Sequence, residues 1–146
     1  MKTLCYGWEF TPTWSEKFAW GEGSFPQVEL PHNVQPAPLH YTDSRSYQLL
    51  CGYRRNLEIP AELRGKRLFL QFDGAAHIAT VFVNGQELAT HTTGYTGFRV
   101  EITHAVHYGG ENLLCVRLDT SENPATPPFG GVVDYLTYGG LYREVW

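Results

Sequence analysis

The chain has 146 residues and a net charge of −4, with 42% hydrophobic, 14% aromatic and only 18% charged residues. That apolar content suits one packed core and excludes a disordered chain, and the length leaves little room for a second domain. Fifteen acidic against eleven basic residues are the wrong sign for a phosphate-binding face, which speaks against nucleic acid as a partner.

In chain order, β-rich runs are expected over residues 8–11, 27–30, 52–59, 67–73 and 78–83, then from residue 86, and over 98–102, 112–119 and 141–146. Leu68, Leu70 and Phe72 alternate with polar or outward positions, and Val81 and Val83 alternate with Thr80 and Phe82, giving each strand a buried face. Asn84-Gly85 between β-rich runs predicts a hairpin closed by a type I′ turn. No window of helical length keeps a 3.6-residue apolar period, and only residues 103–108 suggest a single helical turn. The expected fold class is therefore all-β, a two-sheet sandwich or jelly roll, with residues 1–146 forming one domain. The long connections are 12–25, 31–50 and 120–140, and connections of that length in a compact domain tend to carry function.

Cys5, Cys51 and Cys115 are odd in number and far apart, so they make neither a disulfide framework nor a CxxC motif and are expected to be reduced, those in strands within the core. The opening MKTLCYGWEF reaches Gly7 and Glu9 before any apolar run of leader length, and no stretch approaches membrane-spanning length. These two features together favour a soluble, cytoplasmic chain. The alternating apolar residues that run up to Trp146 suggest an excised domain whose parent continues.

Candidate chemistry is sparse. No G-x-S-x-G elbow occurs, and neither Gly130-Gly131 nor Gly139-Gly140 opens a helix, so nucleophilic hydrolysis and nucleotide binding have no support. His104 and His107 lack a third ligand nearby and read as exposed loop residues, so no metal and no cofactor is expected. His32 reads as a packed loop residue. Glu58, Glu62, Glu87, Glu101, Glu111 and Glu122 read as solvated faces, and Asp73 and Asp119 as turn residues. Asp134 stands apart in the ring- and glycine-rich run Asp134-Tyr135-Leu136-Thr137-Tyr138-Gly139-Gly140, where a carboxylate can accept hydrogen bonds from sugar hydroxyls while rings cover apolar C–H faces. Its competing reading is a loop-ordering Asp or a partner of Arg143. Trp14 and Trp20 are possible sugar platforms, whereas Trp8 reads as core.

Eight segments in order then resemble the N-terminal sugar-binding domain of glycoside hydrolase family 2, the family of β-galactosidases, β-glucuronidases and β-mannosidases. They are Trp8-Glu9-Phe10; Val28-Glu29-Leu30-Pro31-His32-Asn33; Gly52-Tyr53-Arg54-Arg55; Leu70-Gln71-Phe72-Asp73-Gly74-Ala75; Val81-Phe82-Val83-Asn84-Gly85; Gly94-Tyr95-Thr96-Gly97-Phe98; Gly110-Glu111-Asn112; and Tyr138-Gly139-Gly140-Leu141-Tyr142-Arg143-Glu144-Val145. The resemblance implies a jelly-roll β-sandwich of the galactose-binding-like type. It also implies an immunoglobulin-like sandwich and a catalytic barrel elsewhere in the parent polypeptide, so that these residues alone are catalytically inert.

By the same resemblance Asp134 matches the position that contacts the terminal sugar. Asp43, in Tyr41-Thr42-Asp43, resembles a position where β-galactosidases carry a sugar-touching Asn, with Asp here in its place. Gly139, Gly140 and Arg143 match the motif in structural roles, the glycines for close backbone approach and Arg143 to fix the Asp134 loop or a domain contact. The expected function is a non-catalytic carbohydrate-binding domain that completes the sugar pocket of a retaining glycosidase acting on a terminal β-glycoside. Two alternatives stay open: a self-sufficient carbohydrate-binding module using Trp14 and Trp20, and a structural module for domain or subunit contacts through Trp146 and Pro127-Pro128-Phe129.

Overall fold

The computed structural model describes residues 1–34, 49–121 and 139–146. Among the described residues eight strands carry the fold: β1 (Trp8–Thr11), β2 (Gln27–Val28), β3 (Leu50–Ile59), β4 (Phe69–Phe72), β5 (Ile78–Val83), β6 (Gln86–His91), β7 (Phe98–Glu101) and β8 (Gly110–Asp119). Six form an antiparallel sheet in the order β2-β1-β3-β8-β5-β6, and β4 pairs with β7 in a second sheet. The spine is the ten-residue register of β3 on β8, from Leu50 opposite Asp119 to Ile59 opposite Gly110.

The second layer is extended by the last residues of the chain. Gln71 and Trp146 exchange backbone hydrogen bonds at 2.9 and 2.8 Å, Asp73 N donates to Glu144 O, and Leu4 N donates to Val145 O. Residues 141–146 do not form the regular strand expected from their alternation. Residues 140–146 pair through two separate bridges, Phe72 with Val145 and Ala76 with Gly140, which are one residue out of register with each other, and Gly140 has a φ of +132°. Leu141 and Val145 are buried as the alternation expects, but Arg143, at the intervening position of the same face, is exposed, so the alternation is broken there.

Between the layers lie Tyr53, Val81, Val83, Leu114, Val116 and Leu118 from the large sheet and Leu70, Phe72, Val100 and Val145 from the small one, in one apolar cluster that includes Trp8. The architecture is the all-β, galactose-binding-like sandwich. The hairpin turn has φ of +51° at Asn84 and +80° at Gly85, the left-handed pair that a type I′ turn requires.

Residues 103–108 form turns without a helix. Among the described residues the α-helix present, α1 (Glu16–Ala19), falls in the 12–25 connection, with Ser15 Oγ accepting from Phe18 N at 3.2 Å as its N-cap, and a 3-10 turn lies at Ala61–Leu63. Helix α1 is too short to show an apolar period, and only Phe18 is buried. No helix among the described residues is long and apolar enough to cross a membrane.

All three cysteines are buried and free. Cys51 lies opposite Leu118, and Cys115 lies opposite Arg54. Side chains alternate across the sheet, so Cys51 points to the inner face and Cys115 to the outer. Burial pushes both thiols up to about 12.

Candidate functional site

The two stretches that contain Asp43 and Asp134, residues 35–48 and 122–138, lie outside the described residues, so the site is built from the residues that flank them. Those four flanks meet at one corner of the sandwich. Leu49 and Thr120 continue the β3–β8 ladder by one pair: Thr120 N donates to Leu49 O at 2.8 Å, and Leu49 N donates to Thr120 Oγ1 at 2.7 Å. Val34 N donates to Gly139 O at 2.9 Å. A Cβ on Gly139 would stand 2.9 Å from Thr120 Cβ and 3.2 Å from Val34 Cγ2, so the two pairs touch each other.

The floor of this corner is the strip 139–141, held on both sides. His32 N donates to Leu141 O at 2.8 Å, while Ala76 and Gly140 exchange hydrogen bonds at 3.0 and 3.1 Å. A Cβ on Gly140 would lie 2.5 Å from His32 O and 2.9 Å from the Tyr53 hydroxyl, so only glycine lets the strip approach. Tyr142 reaches across from the next turn, its hydroxyl donating to Gly94 O. Arg143 is exposed and its guanidinium lies 5.6 Å from the centre of the Tyr142 ring.

His32 and Tyr53 are the polar pair of the corner. His32 Nδ1 stands 2.7 Å from the Tyr53 hydroxyl, and Phe10 packs on both rings at 4.9 and 5.0 Å. Burial drives the Tyr53 hydroxyl well above the ordinary tyrosine range and lowers the His32 imidazole below its usual value. Burial thus favours the neutral form of both groups, and they share one hydrogen bond whose direction follows the His32 tautomer. Beside them Asn33 Oδ1 is buried with no hydrogen-bond partner among the described residues.

His104 and His107 are exposed, and no group of three or more His, Cys, Asp or Glu among the described residues is placed to hold a metal. Trp8 is fully buried in the core. Trp146, offered above as an exposed patch, is partly buried and donates from Nε1 to Asp73 Oδ2 at 2.8 Å. Pro127, Pro128 and Phe129 lie outside the described residues.

Sequence reasoning missed two features. One is the Tyr53–His32 pair, whose partners sit in motif pieces 21 residues apart. The other is Arg54, 4% exposed, which donates to Glu9 Oε2 at 3.1 and 2.7 Å and to the carbonyls of Phe18, Glu22 and Gly23 at 2.9, 2.8 and 2.7 Å. Its position directly after Gly52-Tyr53 was the available signal, since an arginine inside a buried strand requires a built partner set.

The fold and its corner define a galactose-binding-like β-sandwich of the kind carried by glycosidases. Residues 32–127 match the family described as glycosyl hydrolase 2 galactose-binding domain-like, and the chain belongs to that family. Among its relatives, a beta-galactosidase of Thermoanaerobacter pseudethanolicus is 38% identical over 89% of this chain and 18% of its own length. A beta-glucuronidase of Bacteroides fragilis is 40% identical over 85% of this chain and 18% of its own length. The crystal structure of a Bacteroides uniformis beta-glucuronidase superposes with a TM-score of 0.87 at 28% identity, over 99% of this chain and 17% of that one. The chain thus spans about a fifth of the length of the proteins it matches.

Proposed function

We propose that the chain is the non-catalytic carbohydrate-binding domain of a larger β-galactosidase-type glycosidase and supplies one wall of its sugar pocket. In this reading Asp134 accepts hydrogen bonds from hydroxyls of the terminal sugar, and Asp43 contributes a second carboxylate. The bond-breaking acid/base and nucleophile belong to the rest of the protein, so these residues alone are catalytically inert.

The observation that carries the proposal is the convergence of Val34, Leu49, Thr120 and Gly139. Asp43 stands six residues before Leu49 and Asp134 five before Gly139, so the segments that carry them both begin and end at this corner. The His32–Tyr53 pair and the strip 139–141 brace that corner. Such bracing matters because displacement of a substrate by about 1 Å can cost about a hundredfold in rate. The relatives named beta-galactosidase and beta-glucuronidase, each several times longer than this chain, support a role within a larger enzyme.

The test is Asp134→Ala in the whole glycosidase. The proposal requires a fall in kcat/KM of about a hundredfold with an unchanged melting temperature, and Asp134→Asn should recover only part of it. Unchanged kinetics would remove Asp134 from the pocket.

A further inference from the structure

The connection 12–25 is not spent on spanning the gap between β1 and β2; it is built onto the outer face of the large sheet. Arg54 draws it down through the carbonyls of Phe18, Glu22 and Gly23, and the Arg54 guanidinium lies 4.6 Å from the Phe18 ring centre and 5.0 Å from that of Phe25. Gly52 leaves the space for two rings: a Cβ there would meet both Phe18 Cε1 and Trp14 Cε3 at 2.8 Å.

The consequence is a fixed aromatic groove of about 280 Å³ whose walls include Trp14, Trp20 and Phe82. Trp14 stacks on Phe82 with centroids 5.7 Å apart and planes 25° from parallel. Trp20 rests on the hairpin turn, where a Cβ on Gly85 would stand 2.8 Å from its ring. Even so, Trp20 leaves 65% of its surface open to water. Around the rings stand Glu16, Glu87 and Arg117, also lining the groove. Arg117 is steadied by Phe82, 5.8 Å from guanidinium to ring centre, and by a 3.4 Å contact with Thr80 Oγ1.

We propose that this groove is a carbohydrate-binding site for one neutral hexopyranoside ring. Its volume lies just below the usual range of small-ligand clefts, roughly 300–1,000 Å³, which suits a single ring better than a chain segment. An exposed indole held rigidly offers a flat apolar surface for the C–H face of a sugar at little cost in ordering. Glu16 and Glu87 can accept from hydroxyls and Arg117 can donate to one, so both halves of the hydroxyl chemistry are met. Two carboxylates against one guanidinium disfavour a uronic acid, which would add a third negative charge. The site uses neither Asp43 nor Asp134 and does not depend on the role proposed for them.

The experiment is an NMR titration of the 15N-labelled 146-residue chain with the methyl β-D-pyranosides of galactose, glucose and mannose, and with methyl β-D-glucopyranosiduronate. The proposal expects saturable shifts of the Trp14 and Trp20 indole signals with at least one neutral glycoside in the millimolar range. Binding read at the Trp14 indole should be weakened at least tenfold in Trp20→Ala and partly restored in Trp20→Phe. Trp20 is exposed, so Trp20→Ala should keep a folded spectrum. Stronger binding of the glucuronide than of every neutral probe would overturn the proposal. So would flat indole signals at high millimolar concentration, or concentration-dependent sedimentation that Trp20→Ala abolishes, which would make the groove a contact between copies of the chain.

Discussion

Asn84 Nδ2 donates to Asn112 Oδ1 at 2.7 Å, joining the hairpin turn to the start of β8 across 28 residues. Asn84 also donates to Ala105 O and accepts from Leu113 N, while Asn112 donates to the carbonyls of Leu57, His107 and Gly110. Asn112 is 2% exposed, so its truncation strands several backbone groups without water. Asn112→Ala is expected to cost about 2–3 kcal/mol in urea denaturation. A double-mutant cycle with Asn84→Ala should show a coupling of about 0.5–3 kcal/mol, and additive effects would mean the shared bond contributes nothing.

Gly140 and Gly7 give a paired test of backbone strain against collision. Both have positive φ, +132° and +75°, but a Cβ meets nothing within 4 Å at Gly7 and lies 2.5 Å from His32 O at Gly140. Gly7→Ala should cost about 1–2 kcal/mol, from the backbone alone. Gly140→Ala adds contact with a backbone carbonyl that no rotamer change relieves, and should exceed about 3 kcal/mol. Equal losses in thermal unfolding would show that the 139–141 strip yields.

Arg54 should behave as a structural cation. Arg54→Ala leaves Glu9 without its partner and the carbonyls of Phe18, Glu22 and Gly23 without a shared donor, with an expected loss of about 3 kcal/mol. That is the lower end for a buried pair, because the Glu9 side chain stays 31% exposed. Arg54→Lys cannot reproduce the fork and should lose most of the same amount. Because Arg54 holds α1, either change should also alter the emission of Trp14 and Trp20. An unchanged spectrum would separate the groove from the arginine.

The His32–Tyr53 pair makes stability depend on pH in a defined direction. Burial lowers the His32 imidazole in the folded state below its unfolded value of about 6.5. Between those two values the unfolded chain takes up a proton that the folded chain refuses. The contribution is complete above about pH 6.5 and is lost as pH falls through the folded value. Denaturation at pH 7.5 and 5 should show the loss, reduced in His32→Gln, and NMR should place the His32 midpoint below that of a free imidazole. A midpoint at or above 6.5 would contradict the burial argument.

The motif pieces that signalled the fold prove to be partners in space, which is why they could be read at all. Glu9 of the first meets Arg54 of the third, Asn84 meets Asn112, and His32 meets Gly140. Asp73 of the fourth accepts a hydrogen bond from the indole N–H of Trp146, the residue that follows the last piece. Each pairing demands a particular residue type, and so leaves a recognisable letter in the chain. Helix α1 left no such mark, because four residues carry no period and its position is set by Arg54 from another strand. The groove of Trp14, Trp20 and Phe82 was half visible: two tryptophans stood out, but their meeting with Phe82 depends on the empty space at Gly52. Asp134 stood out first by its ring- and glycine-rich surroundings and then by resemblance to a family, whereas Asp43 was reached through the resemblance alone.

The placement of the cysteines on opposite faces of one sheet has a consequence beyond packing. Oxidation and alkylation begin from the thiolate, and Cys51 and Cys115, held near 12, present almost none at neutral pH. With a layer of backbone between their side chains, these two thiols also cannot close a bridge without dismantling the β3–β8 spine. At these two positions the sandwich is therefore a poor target for oxidants and alkylating reagents, and the β3–β8 spine itself keeps the two sulfurs apart.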